Sequence, residues 1–448
     1  MVPRRTFAAA AAPCPRGDAM SGTAAAIPAE GAGAGRGAPL TTADGLPLKA
    51  ALRRANRRAR RNALLLVAPL FVFLLLTYTG PIIQMMARSV TNPEVSAYLP
   101  NTASALGDWD GEGLPGEAVF AAMARDIVDG QRDTIGRVAA RLNSELPGIR
   151  STMMGALRDA GRFQAPYKEA FLADDPKWGD TALWRLIQRE TRTITPVYYL
   201  RALDYEYNAA GEIEARPEEL RVYRAIFWQT AWMSALITVL CVLLGYPVAH
   251  LLATLPPKRA NLLMILVLLP FWTSLLVRTS AWIVLLQQQG VLNDLLVFLH
   301  VIDNDGRIRM IYNRTGTIIA MTHILLPFMI LPLYAVMKTI PPSLTRAARS
   351  MGATPLRAHL TVYLPLTIPG LAAGTLLVFI LAIGYYITPA LVGGKAGVFI
   401  SNLIADRMTG TLANLRLALA LSTLLLVAVL IFYWLYNKLV GVERLKFG

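Results

Sequence analysis

The chain predicts an all-α membrane protein with six transmembrane helices and a mostly helical extracytoplasmic insertion between the first and the second. Three observations predict it. Of 448 residues, 54% are hydrophobic and only 16% charged, with a mean hydropathy of +0.44, which is too apolar for a water-soluble chain. Stretches free of charge, or nearly so, and long enough to cross about 30 Å of hydrocarbon, roughly 20 residues as helix, occur six times. The charge is also divided: residues 87–222 hold 21 of the 29 acids against 16 Lys and Arg, a net −5, whereas the remainder is +20. That division fits an acidic aqueous domain set into a basic membrane protein and excludes a nucleic-acid binder with basic residues spread over one face.

Residues 1–61 are expected to be a disordered, basic cytoplasmic tail, because 1–50 are rich in Ala, Gly and Pro and lack apolar periodicity. The run FAAAAAPC has the length of a signal h-region, but a basic run and a true span follow it, so the tail reads as dispensable and Met20 as a candidate start. The first span is 62–87. The insertion, 88–222, is too long for a loop and carries Val119, Met123, Ile127, Ile135 and Val138 at mostly helical spacing; 181–190 repeats the habit, and Pro147, Pro166, Pro176 and Pro196 punctuate the segment. Residues 223–438 form a five-helix core. Its spans fall at 225–255, at 260–287 with a single interruption at Arg278, at 315–337, within 358–394, and at 417–437. Pro327 and Pro332 are expected to kink their span and not to end it. Residues 439–448 read as a short cytoplasmic tail.

Lys and Arg in the short connections set the orientation. Arg53, Arg54, Arg57, Arg58, Arg60 and Arg61 precede the first span; Lys258 and Arg259 follow the second; Lys338, Arg346, Arg349 and Arg357 follow the fourth; Lys438, Arg444 and Lys446 close the chain. Both termini are therefore expected in the cytoplasm and the acidic insertion outside. One outer loop, 288–315, resists with Arg307, Arg309 and Arg314, offset by Asp294, Asp303 and Asp305.

Little points to catalysis. Cys14 lies in the tail and Cys241 inside an apolar run, so no bridge is expected. Four His without a Cys-x-x-Cys give a metal enzyme little support. No G-x-x-x-x-G-K-[ST] occurs, and GGKAG at 393–397 lacks the loop length and the Ser/Thr, so this chain is not expected to hydrolyse ATP.

The informative stretch is the inner loop 339–364. A short helix is expected from about Ser343 to Ser350 with Ala347 and Ala348 on a small-residue face. Gly352 then permits a turn, Thr354-Pro355 starts a second helical piece, and Pro365 marks the start of the fifth span. On residue chemistry alone two readings are open, an ordinary basic loop or a knob for another protein's groove.

The spacing A-A-x-x-x-G followed by x-L-P, here Ala347, Ala348, Gly352, Leu364 and Pro365, resembles the cytoplasmic loop by which ABC importer permeases engage their ATPase. The family's usual acid before the two alanines is replaced by Arg346. The stretches 268–286, 325–334 and 384–394 resemble the polyamine (spermidine/putrescine) branch, and the resemblance covers about 222–448. It implies a type I ABC importer-like fold and a transmembrane permease subunit that works by alternating access. It also implies as partners a separate ABC ATPase dimer that binds ATP and Mg, a second permease subunit and an extracytoplasmic substrate-binding protein, all at a bacterial inner membrane. No cofactor is expected in this chain.

For the solute, Trp272, Thr273, Ser274 and Arg278 offer an aromatic and polar face along the third span, although Arg278 near the outer end also suits snorkelling. Trp282 reads as an interfacial anchor or a cation–π neighbour, and Tyr385 and Tyr386 as a joint cradle for an ammonium or as an interfacial belt. His323 is expected to donate a helix-packing hydrogen bond, with a proton relay as the alternative. Asp294 and Asp406 are placed in outer loops, so no carboxylate falls inside a span. Some polyamine permeases have an acid where Ala390 stands, which leaves another small organic solute open. The competing classes are a solute or ion channel with an outer cap, for which no repeated filter motif is visible, and a membrane-anchored sensor, for which no cytoplasmic output domain follows.

Overall fold

A computed structural model describes residues 48–208, 211–410 and 414–440. The expectations for Met1, Met20 and Cys14, and for residues 441–448, lie outside them. The chain divides at Leu75 into two units.

In the first unit a helix runs from Leu48 to Leu74. The expected disorder up to residue 61 is thus corrected: residues 48–61 are helical, because LKAALRRANRRARRNALLL is built almost wholly from strong helix formers. Leu64 to Leu75 expose every large apolar side chain, as a lipid-facing span does.

Five helices are long and apolar enough to cross a membrane: Ala59–Val90, Tyr223–Thr254, Arg314–Thr339, Pro355–Gly384 and Leu415–Leu439. The expected third span is not one helix. Pro257–Trp272 and Leu275–Leu285 meet at 99°, and the break falls at Thr273 and Ser274. Pro270 has no N–H and crowds the carbonyl four residues back, which tightens Leu269–Trp272 into a 3-10 turn. Ser274 then opens a new helix by accepting the Val277 N–H at 3.2 Å. Pro247, Pro327, Pro332 and Pro369 do stay inside their helices. Two π turns, Leu75–Thr79 and His359–Tyr363, each sit just before a proline, Pro81 and Pro365, and widen the helix where the ring would strike a carbonyl.

Residues 93–190 fold into seven short helices around one aromatic core; an eighth, Val197–Ala202, packs instead on Tyr223, Leu417 and Leu421, and an antiparallel hairpin follows, Tyr205–Tyr207 with Ile213–Ala215. Val119, Met123, Ile127, Ile135 and Val138, the periodic set, are all buried there. Trp178 and Trp184 are fully buried beside Phe120 and Phe171, and the Trp184 indole donates to the Trp178 carbonyl at 2.8 Å.

The helices Tyr223–Thr254, Arg314–Thr339 and Leu364–Gly384 pack as a three-helix bundle around Ile237, Met321, Leu325, Met329 and Val378. Glycine lets the backbones close up: a Cβ on Gly374 would stand 2.7 Å from the Met329 sulfur, and one on Gly245 2.9 Å from Met329 Cγ. Asp204 joins the two regions, its carboxylate accepting the N–H groups of Val222, Tyr223 and Arg224 at 2.8–3.1 Å and capping the first helix of the bundle.

Candidate functional site

Between Arg314–Thr339 and the following span stands the short helix Pro342–Ser350. It stops where Gly352 takes φ +91° and the Ala353 N–H reaches back to the Ala348 carbonyl at 3.1 Å, a left-handed helix end that a side chain would strain. Thr354 accepts from the Arg357 N–H at 3.3 Å and starts Pro355–Ala358, as its sequence led one to expect. The two alanines do not share a face: Ala348 is buried and Ala347 exposed, since neighbours on a helix lie about 100° apart. What the helix leaves uncovered is Leu344, Arg346, Ala347 and Met351, with Leu356 and Leu360 alongside; Met351 is 83% exposed. Leu364 and Pro365 lie beyond the π turn, at the foot of the span.

Behind the short helix is a cavity of about 460 Å³, bounded by His250, Tyr363, His359, Arg349, Thr345 and Met337. Tyr246 and His250 on one helix face His359 and Tyr363 on the other; the Tyr246 hydroxyl lies 3.1 Å from His359 Nε2, and the two imidazoles cross edge to face at 5.1 Å. Residue-by-residue reading missed this group. Its signal was present as two His/Tyr pairs, each four residues apart, in otherwise apolar helices.

The residues expected along the pathway separate into two sets. Arg278 is half-buried, its charge acts on His323 and Tyr385, and its Nε is buried without a hydrogen-bond partner. Trp282 Nε1 donates to His323 Nδ1 at 3.2 Å, so His323 accepts the packing hydrogen bond it was expected to donate. Thr279 meets Thr388 at 3.2 Å in the buried wall. Trp272, Thr273 and Ser274 instead line the outside of the bend, Trp272 at 74% exposure. Tyr385 and Tyr386 do not form one cradle. The helix ends at Gly384, Tyr385 turns toward the bundle and Arg278, and Tyr386 lines an apolar groove of about 690 Å³ with Ile404, Met408 and Leu425. Asp294 and Asp406 lie on short helices, Val291–Phe298 and Ile400–Thr409, and not in loops; Asp294 pairs with Arg307 at 2.8 Å.

Membrane-length helices packed through glycines, a sharply bent helix pair and an uncovered short helix between two spans are those of a multi-span membrane protein. The chain belongs to the family of binding-protein-dependent transport system inner membrane components, whose model matches residues 241–440. It is the permease component of an ABC importer. It is similar to the spermidine/putrescine transport system permease protein PotB of Haemophilus influenzae, 36% identical over 49% of this chain and 77% of that one, and of Escherichia coli, 36% identical over 50% and 82%. The inner membrane ABC transporter permease protein YdcU of Escherichia coli is 33% identical over 48% of this chain and 71% of its own.

Proposed function

We propose that this chain is one of two transmembrane subunits of an ATP-driven importer for linear polyamines, spermidine and putrescine among them. The observation that carries the coupling role is the helix Pro342–Ser350, which stands between two spans with Leu344, Ala347 and Met351 uncovered beside Arg346 and Arg349. A separate ATPase dimer docks on that face and, as it closes on ATP, rocks the bundle between inward- and outward-facing states. Both termini lie in the cytoplasm, the insertion lies outside, and the bent pair Pro257–Trp272 and Leu275–Leu285 serves as the remaining membrane segment. An extracytoplasmic binding protein delivers the solute. The substrate reading rests on similarity to PotB.

The site favours a transient amine contact. Tyr385 and Trp282 offer aromatic faces, each worth about 0.5–2 kcal/mol to a desolvated cation, while the Arg278 charge nearby repels an ammonium and keeps the contact weak. No Asp or Glu lies in any of the membrane segments among the described residues, so selectivity falls to the binding protein. Reconstitution with the ATPase, the second permease and the binding protein tests the proposal. Uptake of labelled spermidine or putrescine should require ATP and all four components. Uptake of neither amine refutes the substrate, and flux without ATP indicates a channel.

A further inference from the structure

A second cavity, of about 570 Å³, lies where the insertion meets the ends of two membrane helices. Arg88 stands two residues from the end of Ala59–Val90, and Arg416 at the start of Leu415–Val440; the terminal part of the first helix, Gly80–Val90, packs on the second. Arg137 and Arg141, from the helix Arg132–Asn143, complete the wall.

The charges there do not balance. Arg416 is forked between Asn92 Oδ1 at 2.8 Å and Glu94 Oε1 at 3.0 Å. Arg141, 8% exposed, pairs with Glu190 at 2.8 Å and Glu145 at 3.0 Å, and its Nε is buried without a hydrogen-bond partner. Arg189 reaches both of these carboxylates at 3.8 Å, and Arg201 pairs with Glu145 at 2.9 Å. Burial pushes the Glu145 carboxyl up, but Arg201, Arg141 and Arg189 outweigh it and hold it below the ordinary carboxylate value; at Glu190 burial, with the Glu145 charge, outweighs Arg141 and holds the carboxyl above it. Arg137 has only the exposed Asp133, and no carboxylate pairs with Arg88 among the described residues. Six guanidinium groups, Arg88, Arg137, Arg141, Arg189, Arg201 and Arg416, thus face four carboxylates, Glu94, Asp133, Glu145 and Glu190. The excess is at least two positive charges; Leu415, which lines the cavity, is 49% exposed, and Met85 and Met86, three and two residues before Arg88 on the same helix, are each 38% exposed.

We propose that this cavity binds the phosphate of an anionic phospholipid headgroup, with Arg88, Arg137 and Arg416 around the phosphate and the acyl chains running down the Met85, Met86 and Leu415 surface. Guanidinium matches phosphate oxygens in geometry as well as charge. An arginine pair at the ends of two adjacent membrane helices lies at headgroup depth. The apolar surface beneath favours lipid over free phosphate, which would gain nothing from it. The bound lipid would then join the insertion to the membrane helices, whatever solute is carried.

The test uses the full chain in nanodiscs of phosphatidylcholine with and without phosphatidylglycerol, and reads lipid retained after extraction by native mass spectrometry. Wild type should retain phosphatidylglycerol over phosphatidylcholine by about tenfold. The double variant Arg88→Gln, Arg137→Gln should lose the preference while melting as wild type does in pure phosphatidylcholine, because both side chains pack against little. Arg309→Gln, which removes a charge elsewhere, should keep it. If the double variant melts early, Arg88→Gln alone, at an exposed position, replaces it. Equal retention by wild type and variant overturns the proposal. Stabilisation by millimolar inorganic phosphate in neutral lipid, without lipid retention, also overturns it and assigns the cavity to the free anion.

Discussion

The insertion and the three-helix bundle bury their interiors by opposite means. The insertion closes around Phe120, Phe171, Trp178 and Trp184 and ties its edge with the Arg141, Glu145, Glu190 and Arg201 ion pairs. The bundle has no comparable aromatic centre. It brings Gly245, Gly370 and Gly374 against Met329 and Val336 and leaves Leu243, Leu244 and Leu251 exposed on the outside. The difference follows from the solvent. In water, removing a large aromatic surface is the main driving force. In lipid that force is absent between helices, and close backbone approach through small residues takes its place. The acidic, aromatic insertion is therefore built as an aqueous domain and the bundle as a membrane one.

Substitutions can break that contrast from either side. The largest effect is expected from Trp184→Ala, about 3–5 kcal/mol, because it empties the centre of the insertion core and frees the Trp178 carbonyl. Limited proteolysis should then cut within 93–202 while the bundle stays intact; simultaneous loss of both would show a single cooperative unit. Gly374→Val should destabilise the bundle by about 1–3 kcal/mol, since its Cβ alone would lie 2.7 Å from the Met329 sulfur and 3.2 Å from the Met329 carbonyl oxygen. Here the insertion should keep its protease resistance. Gly352→Val places a branched side chain at φ +91°, at about 1–2 kcal/mol of local strain. Global melting should hardly move, but ATPase co-purification and uptake should fall together; retention of both would remove the docking role. The smallest effect is expected from Tyr385→Ala, a drop of roughly 2- to 10-fold in maximal uptake with apparent affinity unchanged. A shifted affinity with an unchanged maximal rate would take Tyr385 out of the pathway.

Hydropathy and helical periodicity made most of this fold legible in advance. The boundaries of Thr181–Glu190 and the Gly352 and Thr354 punctuation follow directly from local residue chemistry. The bend at Trp272 to Ser274 was hidden because an apolar run looks alike whether straight or broken. Helix phase explains why Ala347 and Ala348 part company, and chain direction after Gly384 why Tyr385 and Tyr386 do. The His250 and His359 contact, and the meeting of Arg88 with Arg416, depend on which helices pack together. No single segment encodes that.

Docking on the uncovered side of Pro342–Ser350 is the centre of the functional account, and cysteine cross-linking reads it directly. In a chain with Cys14→Ser and Cys241→Ala, Ala347→Cys and Ala348→Cys would be compared for cross-linking to a cysteine-scanned ATPase in the assembled complex. Ala347→Cys, on the exposed face, should form an ATPase adduct in high yield, and its buried neighbour should form little. Adducts from Ala348→Cys alone, or from neither position in a complex that still transports, would contradict docking through this helix.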